Sequence, residues 1–369
     1  MMPHLKSILT AALLLAAPAT AGALETVFSK YKIQLYGQVK IDAIYDNHAA
    51  SVNLFNEYLR YTTSASPQDK DFRMSARGSR LGFDVDAGDG VTAKIEGDFL
   101  GDTTSSNATA RLRHAFMQAK LNRWIFIAGQ TWHLTPLELP DTANDYYFGN
   151  AGCLWSRVPQ LRTTYAFTDA LNASVAVTKP TTSQIDDNAT AAGEPGLQAN
   201  AVAKLGGAAL TLSGALGRIK NMGGNNESGR VELVDFGFNV PMGAMVTLNG
   251  QLWTGRNLGY FLGGIGQVGF GTSTVRANGG FMDMRVQPRG DLWFNAVYGI
   301  DDPKDDNIPN NSPIRNQTWM ANANYKIRER LTVTFETAYN MTDYKLFTGA
   351  NGRDKRSTMH YQLSTKFPF

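Results

Sequence analysis

Arg356-Ser-Thr-Met-His-Tyr-Gln-Leu-Ser-Thr-Lys-Phe-Pro-Phe369 ends the chain, and from Met359 onward apolar and polar residues alternate. Met359, Tyr361, Leu363, Thr365, Phe367 and Phe369 share one face, and His360, Gln362, Ser364 and Lys366 the other. Side chains alternate across a β-strand with a period of two, so the segment reads as a strand with an apolar side and a wet side. In a bilayer, an unpaired strand edge leaves backbone groups with no water to bond. Such a strand therefore needs a closed barrel around it.

The pattern recurs along the chain. Ile33, Leu35, Gly37, Val39, Ile41, Ala43 and Tyr45 alternate with Lys32, Gln34, Tyr36, Gln38, Lys40 and Asp42, over a length that suits a tilted membrane strand. Similar segments lie at 72–86, 91–100, 110–121, 124–132, 158–167, 171–178, 197–205, 208–218, 230–240, 244–253, 277–287, 291–300, 316–326, 331–340 and 356–369. The expectation is an all-β fold, a transmembrane antiparallel β-barrel of about 16 strands. Connections alternate as well. Tight turns such as Asp89-Gly90, Asn122-Arg123, Gly206-Gly207 and Pro288-Arg289-Gly290 carry hairpin residues. Between them come long polar stretches at 47–70, 101–109, 133–157, 179–196, 219–229, 254–276, 301–315 and 341–355. Short turns on one rim and long loops on the other put both termini on the short-turn, periplasmic side. A soluble sandwich also alternates. It has no use for a final strand ending on Phe369, an ending typical of bacterial outer-membrane barrels.

Residues 1–23 read as a secretory signal: a basic start at His4 and Lys6, an apolar run from Ile8 to Ala17, then small residues. Residues 24–369 then form the barrel domain. Removing the signal leaves 34 basic against 32 acidic residues, a balance that points away from nucleic acid. Cys153 is the single cysteine, so no intrachain disulfide framework exists. The mature chain has no run of eighteen apolar residues, which excludes spanning helices.

A barrel this wide is not filled by its wall side chains. The stretch 133–157 is long and aromatic, and its apolar side chains find burial by folding inward as a constriction loop. Glu138, Asp141 and Asp145 would then face the passage, while parity turns Arg73, Arg77, Arg80 and Arg162 inward, with Lys94, Glu96, Asp98, Lys120, Asp283 and Arg285. The phase slips near Gly78, where a bulge keeps Arg80 inward. Arginines opposite loop carboxylates would tune which ions pass, or would only stiffen the wall. Basic residues at mid-wall favour anionic or carboxylate solutes. Arg111 and Arg113 share the parity of outward Ala115 and Met117, which points them at lipid phosphates on the rim.

Ser79-Arg-Leu-Gly-Phe83, Arg111-Leu-Arg-His-Ala-Phe116, Ala128-Gly-Gln-Thr-Trp132, Leu139-Pro-Asp141, Val158-Pro-Gln-Leu-Arg162 and Tyr298-Gly-Ile-Asp-Asp-Pro303, with the terminal strand, resemble the DcaP-like trimeric outer-membrane porins. The resemblance implies a sixteen-stranded homotrimeric channel for small solutes, organic acids such as dicarboxylates among them. Members of that family carry an N-terminal helical extension, whereas Leu24 to Lys30 alone precede the first strand here. The function expected is passive diffusion of small hydrophilic solutes across the outer membrane, in contact with lipid and lipopolysaccharide. The alternative is a structural or adhesive barrel whose loops bind partners. No cofactor is expected. His48, His114, His133 and His360 are scattered without metal-ligand spacing, and nothing pairs a nucleophile with a base. Gly264-Ile-Gly-Gln-Val-Gly269 matches a dinucleotide fingerprint without the strand and helix that give it meaning. Asp301-Asp-Pro-Lys-Asp-Asp306 lacks the ligand spacing of a calcium loop.

Overall fold

The computed structural model describes residues 30–48, 61–63, 70–101, 108–136, 138–179, 194–219, 229–268, 274–345 and 354–369. The signal expected at 1–23 lies outside them, as do parts of the long loops. The strands are β1 (Lys32–Asp46), β2 (Asp71–Ser75), β3 (Arg80–Gly88), β4 (Val91–Asp98), β5 (Arg111–Leu121), β6 (Trp124–Trp132), β7 (Arg157–Ala166), β8 (Leu171–Thr178) and β9 (Gly196–Leu205). They continue as β10 (Ala208–Ile219), β11 (Gly229–Met242), β12 (Val246–Arg256), β13 (Arg276–Arg289), β14 (Leu292–Pro303), β15 (Pro313–Ile327), β16 (Leu331–Tyr344) and β17 (Asp354–Pro368). Each pairs antiparallel with its neighbours, and β17 closes on β1 from Gln38↔Pro368 to Asp46↔His360.

β2 and β3 are two halves of one stave. Both pair with β1, β3 along Lys32 to Gln38 and β2 along Asp42 to Asp46. The barrel therefore has 16 staves, as the sequence predicts. The phase slip at Gly78 is a break rather than a simple bulge. Ser79 N–H closes a turn onto the Ala76 carbonyl, and Ser79 Oγ accepts from the Lys40 N–H that the break leaves without a strand partner.

The outward face is apolar from strand to strand: Ile41, Val175, Leu161 and Phe335 are 49%, 61%, 65% and 52% exposed. The tight turns use left-handed backbone at Asp89, Asn122, Gly206 and Gly243, as short hairpins require. The inward face is not uniformly polar, contrary to the simple alternation. On β10 to β16, Ala215, Leu233, Trp253, Phe281, Val297, Met320 and Ala338 point inward and are buried. The loop at 133–157 covers them. Tyr146, Phe148, Cys153 and Trp155 pack on the Phe281–Met320 side, and Leu154 packs with Trp253 and Leu233. The inward loop is thus an apolar core inside the barrel, with loop and wall each covering what the other cannot leave in water.

Candidate pore constriction

The loop leaves β6 at His133 and crosses the lumen. At its base, the Gln198 amide oxygen takes the Leu134 N–H at 2.9 Å while its NH2 donates to His133 Nδ1 at 2.5 Å. That arrangement puts the imidazole proton on Nε2. Burial pushes His133 down to about 3, with Arg162 nearby adding to the push. Farther along, Asp141 accepts from Trp293 Nε1 at 2.7 Å and lies 3.7 Å from Arg285. Glu336 then holds the N–H groups of Ala143 and Asn144, at 2.6 and 3.3 Å.

At the tip, Asp145 receives Lys40 Nζ at 2.7 Å and Arg80 Nη2 at 3.0 Å, and Arg80 also donates to the Tyr147 hydroxyl at 2.8 Å. The return path runs through left-handed residues Tyr147, Phe148 and Asn150. Asn150 N–H bonds the Leu262 carbonyl, and Trp155 Nε1 bonds the Tyr146 carbonyl, both at 2.8 Å. Gly152 has φ 111°, and a Cβ there would meet the Gly280 carbonyl oxygen at 2.0 Å, so wall contact demands glycine.

A second loop, 257–268, within the stretch that reads as polar in the sequence, also folds inward. Leu258, Phe261 and Leu262 are buried beneath the first. Its glycine run is a left-handed turn in which Gly264 and Ile265 N–H groups cradle the Asp301 carboxylate at 3.1 and 2.8 Å. Successive N–H groups pointing at one anion make a nest. The dinucleotide-like motif and the head of the acidic run are therefore partners in anchoring this loop.

The expected wall charges are distributed unevenly. Arg73 pairs with Asp46 at 2.6 Å and Asp71 at 2.8 Å. Glu96 takes Arg113 at 2.6 Å and the Tyr36 hydroxyl at 3.0 Å. Asp98 takes Arg111 at 2.6 Å and Arg113 at 3.2 Å. Arg111 and Arg113 thus point inward, against the parity reading that sent them to lipid phosphates. The register slips between Glu96 and Gly97, so Arg113 and His114 both turn in while Leu112 turns out. Arg162 bonds Gln160 Oε1 at 2.9 Å and the Trp132 carbonyl, and among the described residues no carboxylate pairs with it. Arg77 is half-buried in the break between β2 and β3.

Two candidates sit elsewhere than expected. Lys120 is exposed one residue before the end of β5, its N–H bonded to Gly90 at the short-turn rim. Glu138 lies against the wall at Gly237, and burial raises its pKa. Asp145, neutralised by direct contact, does not stand across a gap from the arginines. Among the described residues no group of three or more His, Cys, Asp or Glu is arranged to hold a metal.

The model of the family described as DcaP outer membrane protein matches residues 8–178. No curated relative matches the sequence. Over the whole barrel the fold is that of the outer-membrane channel DcaP of Acinetobacter baumannii, with TM-score 0.78 and 20% identity, covering 94% of this chain and all of that one. The anion-selective porin from Comamonas acidovorans gives TM-score 0.62 at 14% identity, covering 92% of this chain and 100% of that one. OmpT of Vibrio cholerae in its trimer form gives 0.58 at 13%, with the same coverage. Identities this low establish the porin barrel fold and nothing finer.

Proposed function

We propose that this chain is an outer-membrane porin, a water-filled channel through which small hydrophilic solutes diffuse down their gradients, with a preference for anions and small carboxylates. The DcaP family match and the porin fold support the first half of that reading. Homotrimeric assembly, which the trimer form of OmpT makes reasonable, and periplasmic termini belong to the same proposal.

Arg162 carries the charge preference. Lys40, Arg80, Arg111 and Arg113 are each bonded to a carboxylate, so their charges largely cancel at the wall. Arg162 is inward, half-buried and held by two neutral oxygens. An uncompensated guanidinium at a narrowing lowers the barrier for anions, and its planar fork suits a carboxylate. Leu161 beside it faces out, so the site sits in a membrane-crossing strand rather than at a rim.

Purified protein in a planar bilayer under a salt gradient tests the reading. Stable conductance steps with an anion-directed reversal potential are expected, and Arg162→Ala should move that potential toward the cation side. Absence of steps would sink the channel. An unmoved potential would remove Arg162 as its filter.

A further inference from the structure

Where the constriction loop lies on β9 to β11, the interface is lined with oxygen atoms that nothing among the described residues bonds. Asp235 is 0% exposed; its Oδ2 accepts from Gln251 at 2.8 Å, and its Oδ1 has no partner. Glu138 Oε2, also buried and without a partner, lies against the inward face of Gly237, two residues along the same strand, 3.2 Å from where a Cβ would sit. Ser213 stands directly opposite Asp235 in register and Asn200 opposite Ser213. The Ser213 hydroxyl and the Asn200 amide oxygen are unsatisfied too, as is Thr135 Oγ1 from the loop, with Ser213 6% and Thr135 4% exposed. Glu138 and Asp235 are near enough to repel each other. No lysine, arginine or histidine pairs with either among the described residues.

Buried polar atoms are nearly always satisfied, and a fully buried carboxylate beside a half-buried one, with no counter-charge among the described residues, is unfavourable. We infer that Glu138 and Asp235 bind a hard divalent cation of the calcium class between the loop and the wall, with the oxygens of Ser213, Asn200 and Thr135 and water completing its shell. Every unsatisfied atom in the cluster is oxygen, and a mixture of carboxylate, amide and hydroxyl oxygens with flexible geometry suits calcium rather than a transition metal. The cation staples the front half of the loop to the wall, as Lys40 and Arg80 hold its tip. It also cancels the acidic charge on that side, leaving Arg162 to set the sign of the field. The inference stands on the fold alone and does not depend on what crosses the pore.

Trp253 lies directly opposite Asp235 on β12, which supplies the readout. The full mature chain, refolded free of lipopolysaccharide in detergent and stripped with EDTA, is titrated with Tb3+ under tryptophan excitation. Saturable emission at one equivalent is expected, displaced by Ca2+ and falling to the metal-free level in Asp235→Asn and in Glu138→Gln. Ca2+ should raise the Tm of the parent protein and leave that of Asp235→Asn unchanged, the retained heat-modifiable gel mobility showing that the isosteric variant folds. Emission that never saturates, or that survives Asp235→Asn, overturns the site. So does a parent Tm that Ca2+ does not raise, the signature of two carboxyls sharing a proton.

Discussion

Lys40 Nζ lies 2.7 Å from Asp145 Oδ2 and donates to the Ala143 carbonyl at the same distance, so a lysine of the first strand grips the constriction loop by its tip. Asp145→Ala leaves Lys40 buried without this carboxylate, with Arg80 deprived of the same partner. Breaking a buried pair from one side costs about 3–5 kcal/mol. The expected result is a lower urea midpoint together with larger, noisier single-channel conductance as the tip comes away. Steps identical to the parent's would show that other contacts hold the tip.

The same pair sets the loop's tolerance of acid. Burial alone would raise the Asp145 pKa, but the Lys40 and Arg80 charges beside it hold it well below the usual carboxylate range. A carboxylate depressed on folding contributes stability that is fully present above its unfolded value of about 3.9 and is lost as pH falls through the folded value. Conductance should therefore be flat from neutral pH down to about pH 4. A step in conductance between about pH 7 and 5 would mean that another group governs the tip.

His133 predicts a loss of the same sign at the loop's base, but one that begins at higher pH. Burial holds the imidazole neutral, down to about 3, while an unfolded chain takes up the proton near 6.5. The stability this group contributes is present above about 6.5 and is lost progressively as pH falls toward 3, roughly 4–5 kcal/mol in all. Unfolding free energy of the parent should fall through that window and that of His133→Gln should fall less. Parallel profiles would rule out a buried neutral imidazole.

The strands, the parity of their connections and the inward loop were legible because each follows from a local period or a turn residue. Two failures have one physical source. Counting alternate residues from Met117 turns Arg113 outward, but the register slip beside Glu96 shifts that count by one. The informative signal lay on the neighbouring strand, where Glu96 and Asp98 offer two carboxylates that no lipid-facing arginine could reach. In the same way Leu252-Trp253 and Phe281-Met282 each put adjacent apolar residues on opposite faces, one to lipid and one to the loop core. Periodicity cannot say which face of such a pair meets lipid. A distant loop decides it. Glu138 lies against the wall for a related reason: a carboxylate on an inward loop can face the passage or the wall, and only packing chooses.

Closure of the barrel supplies the last prediction. Gly37 and Phe369 exchange two main-chain hydrogen bonds, each 3.1 Å, so the final residue is bonded to the first strand. The Phe369 ring covers Gly37 so closely that a Cβ would meet Cζ at 2.7 Å, and it would also meet the Arg80 carbonyl oxygen. Gly37→Ala must push either the ring or β3 aside, at about 1–3 kcal/mol. Phe369→Ala frees the ring's half of that clash but loses its cover. The two substitutions touch the same contact, so their combined effect on the urea midpoint should be smaller than the sum of the separate effects, by on the order of 0.5 kcal/mol or more. Strict additivity would mean that the ring and the glycine do not meet, and that the closing seam rests on the backbone bonds alone.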